Sequence, residues 1–360
     1  MEFLIDYGLF LAKVVTIVIA IIAVIAAIAA NKGSQPDHGE ITVTNISDEL
    51  SELEDDIRKE VLDKEQLKDY VKQQKKLEKT RAKESKKSKS EASSSNSEHN
   101  EEASGHDAAK NLFVIEFDGD VQASAVENLR EEITAILTIA NKNDQVLLKL
   151  ESPGGMVHSY GLAASQLQRI KQAGLKLTIA VDEVAASGGY MMACVGDEIV
   201  AAPFAIIGSI GVLAQIPNFN RLLKKNDIDF EQMTAGEYKR TMTMFGENTD
   251  KGRQKFQQEL EDTHELFKSF INENRPELDL TKVATGEHWY GRQALELGLI
   301  DQLSTSDDMI LQMNANFKIF KIKHKIKKPL SERLPLAMGQ AFQSALENLW
   351  QKSETSKLFK

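Results

Sequence analysis

The chain has 360 residues, 42% hydrophobic and 27% charged, with a formal net charge of −10. That length accommodates about two domains, and the acidic balance argues against a nucleic-acid partner. The single cysteine, Cys194, excludes an internal disulfide and a cysteine-based zinc site, and there is no Walker-type phosphate loop or HExxH pair. No cofactor or metal is therefore expected.

Leu9 to Ala30 is apolar except for Lys13 and Thr16. At about 1.5 Å per residue it would span roughly 33 Å, enough to cross a bilayer. Residues 1–31 are read as an uncleaved transmembrane anchor. The rival reading is a cleaved signal peptide, since Ala27 and Ala29 resemble a cleavage site. Glu2 and Asp6 make a poor n-region for that, and the apolar run is long. Lys13 and Lys32 flank the run and encode its orientation only weakly.

A short strand is predicted over Glu40 to Asn45. From Asp48 to Lys79 the chain is highly charged, with Leu50, Leu53, Ile57, Val61, Leu62 and Leu67 at helical spacing. That predicts an amphipathic helix, and residues 32–79 are read as a charged helical stalk. Residues 80–109 are rich in Lys, Ser and Glu and hold too little apolar surface to order themselves, so they are read as a disordered linker.

The globular part is placed at 110–306. Strands are predicted at Leu112–Phe117, Gln145–Leu150, Leu175–Val181 and Glu198–Ala202, with helices at Ala125–Thr138 and Ser159–Gln172 between them. Such alternation predicts an α/β fold with a mostly parallel, helix-covered sheet. Ile199 to Ala214 also lacks charge, but Pro203, Gly208 and Gly211 interrupt it, so a buried strand and loop explain it better than a second span. His288 to Gly291 reads as a strand end, and Ala294 to Asp301 as a helix closed by Gly298. In 307–360, Lys318 to Lys328 holds six lysines and suits a lysine-protected edge strand or attraction to anionic lipid. Leu334, Met338, Phe342, Leu346, Leu349 and Trp350 recur at helical spacing, predicting an amphipathic terminal helix.

Two strand ends carry glycine-rich turns. Ser152-Pro153-Gly154-Gly155 follows one strand, and Ala186-Ser187-Gly188-Gly189 follows the next. Ligand sites in open α/β sheets form at the carboxyl ends of strands, so the two turns are expected near each other. Ser187 at a strand-to-helix corner is either a nucleophile or a plain N-cap. The N–H groups of Gly188 and of Gly154 or Gly155 would form an oxyanion hole. A base is not evident. Of seven histidines, His158, His264 and His288 remain open, while His38, His99 and His106 fall in stalk or linker. A desolvated lysine also serves as base in serine–lysine pairs, and Lys239 is one candidate among many.

Five segments, ESPGGMVHSYGLAASQLQRI, VAASGGYMMACVGD, APFAIIGSIGV, TAGEYKRT and ATGEHWYGRQALELGLID, together resemble the signal peptide peptidase A family of serine proteases. The resemblance runs from the anchor to about Ser306 and is weakest in the linker and the tail. It implies a crotonase-like fold, shared with the ClpP protease, and a Ser–Lys dyad of Ser187 and Lys239. It further implies that Ser209, in the G-S-I-G segment, orients the lysine. By the same resemblance the protein is expected to be a homo-oligomeric endopeptidase of the bacterial inner membrane. Its catalytic domain would be extracytoplasmic, and its substrates signal peptides or other membrane-associated peptides. Two other classes stay open: a crotonase-fold enzyme acting on coenzyme A thioesters, and a non-catalytic membrane scaffold.

Overall fold

The structure, a computed structural model, describes residues 7–17, 39–63, 65–70, 72 and 110–325. The described residues between 41 and 323 belong to one compact unit. The elements of the chain run β1 (Glu40–Asn45), α1 (Ile46–Val61), β2 (Asn111–Asp118), α2 (Val126–Ile139), β3 (Gln145–Glu151), α3 (Val157–Gln172), β4 (Lys176–Val181), β5 (Val184–Ala186), α4 (Gly188–Ala193), β6 (Glu198–Ala201) and β7 (Ile206–Gly208). There follow α5 (Asn220–Lys225), α6 (Asp250–Asn274), α7 (Leu280–Val283), β8 (His288–Tyr290), α8 (Gly291–Glu296), β9 (Gln302–Leu303), α9 (Ser306–Met313) and β10 (Lys318–Lys325).

Seven strands form the main sheet in the order β1-β10-β2-β3-β4-β6-β9. From β10 to β9 every pairing is parallel, which bears out the α/β expectation. The period-two rule divides the strand residues between two cores. Phe113, Ile115 and Phe117 of β2, with Val146, Leu148 and Leu150 of β3, join the larger core together with residues of α2, α3 and α4. Leu112, Val114 and Leu147 face the other way, onto Met309 of α9. Burial on both faces explains why these strands read as near-continuous apolar runs. A smaller sheet, β5-β7-β8, pairs β5 with β7 in parallel and β7 with β8 antiparallel. The uncharged stretch from Ile199 thus contributes β6 and β7.

Three features depart from the sequence reading. The lysine-rich β10 is not an edge strand, because it lies between β1 and β2. Its Ile319 and Ile322 are buried, and Lys321 reaches Glu116 at 2.6 Å. The helix expected from Asp48 to Lys79 starts at Ile46, capped by Asn45, and ends at Val61. Asp63 then accepts from the N–H groups of Glu65 and Gln66 and opens a new helical stretch, and Tyr70 returns to bond Asp55 at 2.7 Å. The local cap outcompetes the continuing apolar stripe. Finally, the 25-residue α6 is absent from the predicted elements. Its signal was Thr249 as N-cap, with Phe267 and Ile271 four apart on the buried face.

The apolar run read as an anchor is helical over residues 7–17. The remainder of that run, the linker 80–109 and the stripe Leu334–Trp350 lie outside the described residues. Among the described residues no helix is long and apolar enough to cross a membrane.

Candidate active site

The two glycine-rich turns are joined through backbone. Ser152 bridges Ala185 in parallel register. Its N–H donates to the Val184 carbonyl at 2.8 Å, and its carbonyl accepts from the Ala186 N–H at 3.0 Å. Glu151, just before, accepts the N–H groups of Asp182, Glu183 and Val184 at 3.1, 2.9 and 2.9 Å, holding the β4–β5 turn. Burial raises the Glu151 carboxyl above its ordinary range, and those three donors oppose the rise.

Ser187 sits at φ 52°, ψ −116°, a region that non-glycine residues rarely enter. Its N–H donates to the Gly208 carbonyl at 2.7 Å and its carbonyl accepts from Met191 at 3.0 Å, so both neighbours hold the strained corner. The side chain makes no capping hydrogen bond. The plain N-cap reading therefore does not describe it, and the hydroxyl is left for the cleft that Ser187 lines.

That cleft encloses about 810 Å³. It brings Ser187 together with Pro153, Gly154, Gly155, Ser209 and His264. Gly154 has φ +87°, and a Cβ there would lie 2.7 Å from the Ala186 oxygen, the Gly188 nitrogen and the Ser187 Cβ. The first glycine of SPGG thus lies directly against the Ser187 corner. Gly188 is constrained by its other side, since a Cβ on it would stand 2.4 Å from the Tyr160 ring. The Gly154 N–H donates to Ser152 Oγ at 3.1 Å. Among the described residues the N–H groups of Gly155 and Gly188 meet no acceptor. Of the expected donors, these two are the ones free to hold an oxyanion.

Ser209 shares the cleft at φ 52°, its N–H held by the Glu287 carbonyl at 2.7 Å. Lys239 does not line it. It is exposed and lines a separate cleft of about 870 Å³ with Ile216, Phe230, Met233 and Phe245. The segment around it is turn and bend rather than strand. Glu237, two residues away, is engaged by Lys251 at 2.6 Å, and that hydrogen bond holds its carboxyl below the ordinary range. Of the three open histidines, His264 on α6 lines the Ser187 cleft, with Nε2 3.3 Å from the Ile210 carbonyl. His158 and His288 are exposed and do not line it. Cys194 is buried at the C-cap of the helix that Ser187 precedes, and burial pushes its thiol up to about 12. Among the described residues no three His, Cys, Asp or Glu side chains gather closely enough to hold a metal ion.

A serine at a strained strand-to-helix corner, facing a cleft beside two unpaired N–H groups, is the arrangement of an acyl-transfer site. The chain belongs to peptidase family S49. The model of the S49 N-terminal region matches residues 2–167, and that of Peptidase family S49 matches residues 169–319. The family resemblance carried by the five segments is thereby borne out. "Probable protease SohB" of Haemophilus influenzae is 50% identical over 333 residues, covering 92% of each chain. "Putative protease SohB" of Buchnera aphidicola subsp. Baizongia pistaciae is 41% identical over 360 residues and 100% of both chains. Among solved structures, a membrane-bound stomatin-specific protease in complex with a substrate peptide aligns with TM-score 0.39 and 14% identity, over 64% of this chain and 98% of its own.

Proposed function

We propose that this protein is a membrane-anchored serine endopeptidase with a crotonase-like core. It cleaves signal peptides or other membrane-associated peptides at the extracytoplasmic face of the bacterial inner membrane, and it works as a homo-oligomer. The observation that carries the chemistry is Ser187, strained at φ 52° and uncapped, facing the cleft beside the free N–H groups of Gly155 and Gly188.

In this mechanism a neutral Lys239 takes the proton from Ser187 Oγ, which attacks the peptide carbonyl. The Gly155 and Gly188 N–H groups receive the negative oxygen. Ser209 orients the lysine. Lys239 then protonates the leaving amine, and water, deprotonated by the same lysine, releases the acyl group. A lysine works as base only when desolvated, so Lys239 must be brought over Ser187 and covered. Exposed apolar side chains in the Ser187 cleft and in the Lys239 cleft support such a covered state. Leu213 is 78% and Met233 91% exposed, and a bound peptide or a second subunit would bury them.

One observation favours a different base: His264, not Lys239, lines the Ser187 cleft. The two are separated by peptidase assays and serine-directed fluorophosphonate labelling of Ser187→Ala, Lys239→Ala and His264→Ala. The proposal expects labelling at Ser187 and loss of hydrolysis in Ser187→Ala and Lys239→Ala. Full activity in Lys239→Ala with loss in His264→Ala would transfer the base role to the histidine. No labelling at Ser187 in the native chain would leave the scaffold, and binding of coenzyme A the thioester enzyme.

A further inference from the structure

Behind the SPGG turn lies a buried hydrogen-bond chain that does not reach the cleft. Ser152 and Tyr160 are both fully buried, and neither lines the space around Ser187. Their hydroxyl oxygens are 2.6 Å apart. The proton positions follow from the outer partners. Tyr160 donates to the Asp120 carbonyl at 2.8 Å, which as a carbonyl only accepts. The Gly154 N–H donates to Ser152 Oγ at 3.1 Å. The one remaining hydrogen, that of Ser152, therefore points to the Tyr160 oxygen. The chain runs in one direction: Gly154 N–H to Ser152 O–H to Tyr160 O–H to Asp120 C=O. Each hydroxyl both donates and accepts, so each bond polarises the next.

What this chain holds is the orientation of the Gly154 peptide group, and the next peptide group carries the Gly155 N–H. We infer that Ser152 and Tyr160 are positioning residues for the oxyanion hole, fixing the Gly155 donor although neither touches substrate. The inference rests on the serine-peptidase reading above. Tyr160 serves twice, because its ring also lies against Gly188, the residue carrying the second donor. One side chain thus braces both arms, one through its hydroxyl and one through its ring.

The test uses the full chain in detergent, with Tyr160→Phe and Ser152→Ala, each losing one hydroxyl. Readouts are kcat, KM, the inhibition constant of a peptide aldehyde, and thermal unfolding to confirm folding. The aldehyde forms a hemiacetal with Ser187 whose oxygen occupies the oxyanion position. Each variant is expected to lose roughly 10- to 100-fold in kcat, less than the roughly 100- to 1000-fold of deleting a donor outright. KM should stay within about twofold, and aldehyde affinity should fall by the same factor as kcat/KM. Because both residues act through one chain, the double variant should lose no more than the worse single one. If Tyr160→Phe fails to fold, Ser152→Ala decides alone. Unchanged kcat in a folded variant, or multiplied losses in the double, overturns the positioning role. Absence of Ser187-dependent hydrolysis in the unaltered chain would overturn the peptidase reading instead, so the two failures are distinguishable.

Discussion

Adding one methyl group at Gly154 and one at Gly161 should have opposite effects, although both residues belong to the stretch that follows β3. Gly154 has φ +87°, and a Cβ would meet the Ala186 oxygen, the Gly188 nitrogen and the Ser187 Cβ, each at 2.7 Å. Two of those atoms are backbone, held by the strand bridge at Ser152 and the Ser187 corner, so none rotates away. The backbone conformation alone costs about 1–2 kcal/mol for a residue with a Cβ. Overpacking adds about 1–3 kcal/mol. Gly154→Ala should therefore destabilise by about 2–5 kcal/mol, which for a unit of this size lowers Tm by roughly 4–20 °C. Gly161 lies inside α3 with nothing within 4 Å of an added Cβ. Gly161→Ala should stabilise by about 0.5–1 kcal/mol through helix propensity. Thermal unfolding of the solubilised full chain, with fluorophosphonate labelling, reads both effects. Labelling at Ser187 should slow sharply in folded Gly154→Ala and stay unchanged in Gly161→Ala. A Gly154→Ala protein with unaltered Tm and labelling rate would refute the tight-approach geometry of the site.

Three further outcomes follow from the buried groups. With its thiol near 12 and fully buried, Cys194 should resist iodoacetamide at pH 8, where only about one part in ten thousand is thiolate, and react on unfolding; mass spectrometry showing rapid labelling of the native chain would contradict this. Arg275, 5% exposed, donates to both Asp301 oxygens at 2.8 Å, and because the Asp301 left behind is exposed, Arg275→Ala should cost about 1–3 kcal/mol in urea unfolding. Glu151→Gln keeps one acceptor oxygen but turns an amide N–H toward a backbone donor, which should cost about 1–3 kcal/mol. Since the folded Glu151 carboxyl lies above its unfolded value of 4.5, the native state binds the extra proton just above that pH, and this group's contribution to stability falls as pH rises through the window. The fall should be absent in Glu151→Gln; an identical pH profile in the two proteins would remove Glu151 as its source.

Much of this protein was legible from local pattern. The runs around Leu112, Val146 and Leu177 are apolar because they are covered on both faces, and their alternation with helices identified the parallel sheet. The turns at Ser152 and Ser187 announced themselves through glycine, since only glycine admits the backbone approach at Gly154 and the Tyr160 ring at Gly188. Segment order identified the family. What sequence could not supply was anything settled between distant residues. The lysines of β10 looked like an exposed edge until pairing enclosed that strand between β1 and β2. The stripe after Asp48 looked continuous until the cap at Asp63 interrupted it. Above all, periodicity reports which side of an element is buried, not what stands across a cleft from it. The glycine-rich turn after a strand thus singled out Ser187. Only the fold set it at a strained φ without a capping partner, freed the Gly155 and Gly188 N–H groups beside it, brought His264 rather than Lys239 into the same cleft, and hydrogen-bonded Ser152 to Tyr160 behind it.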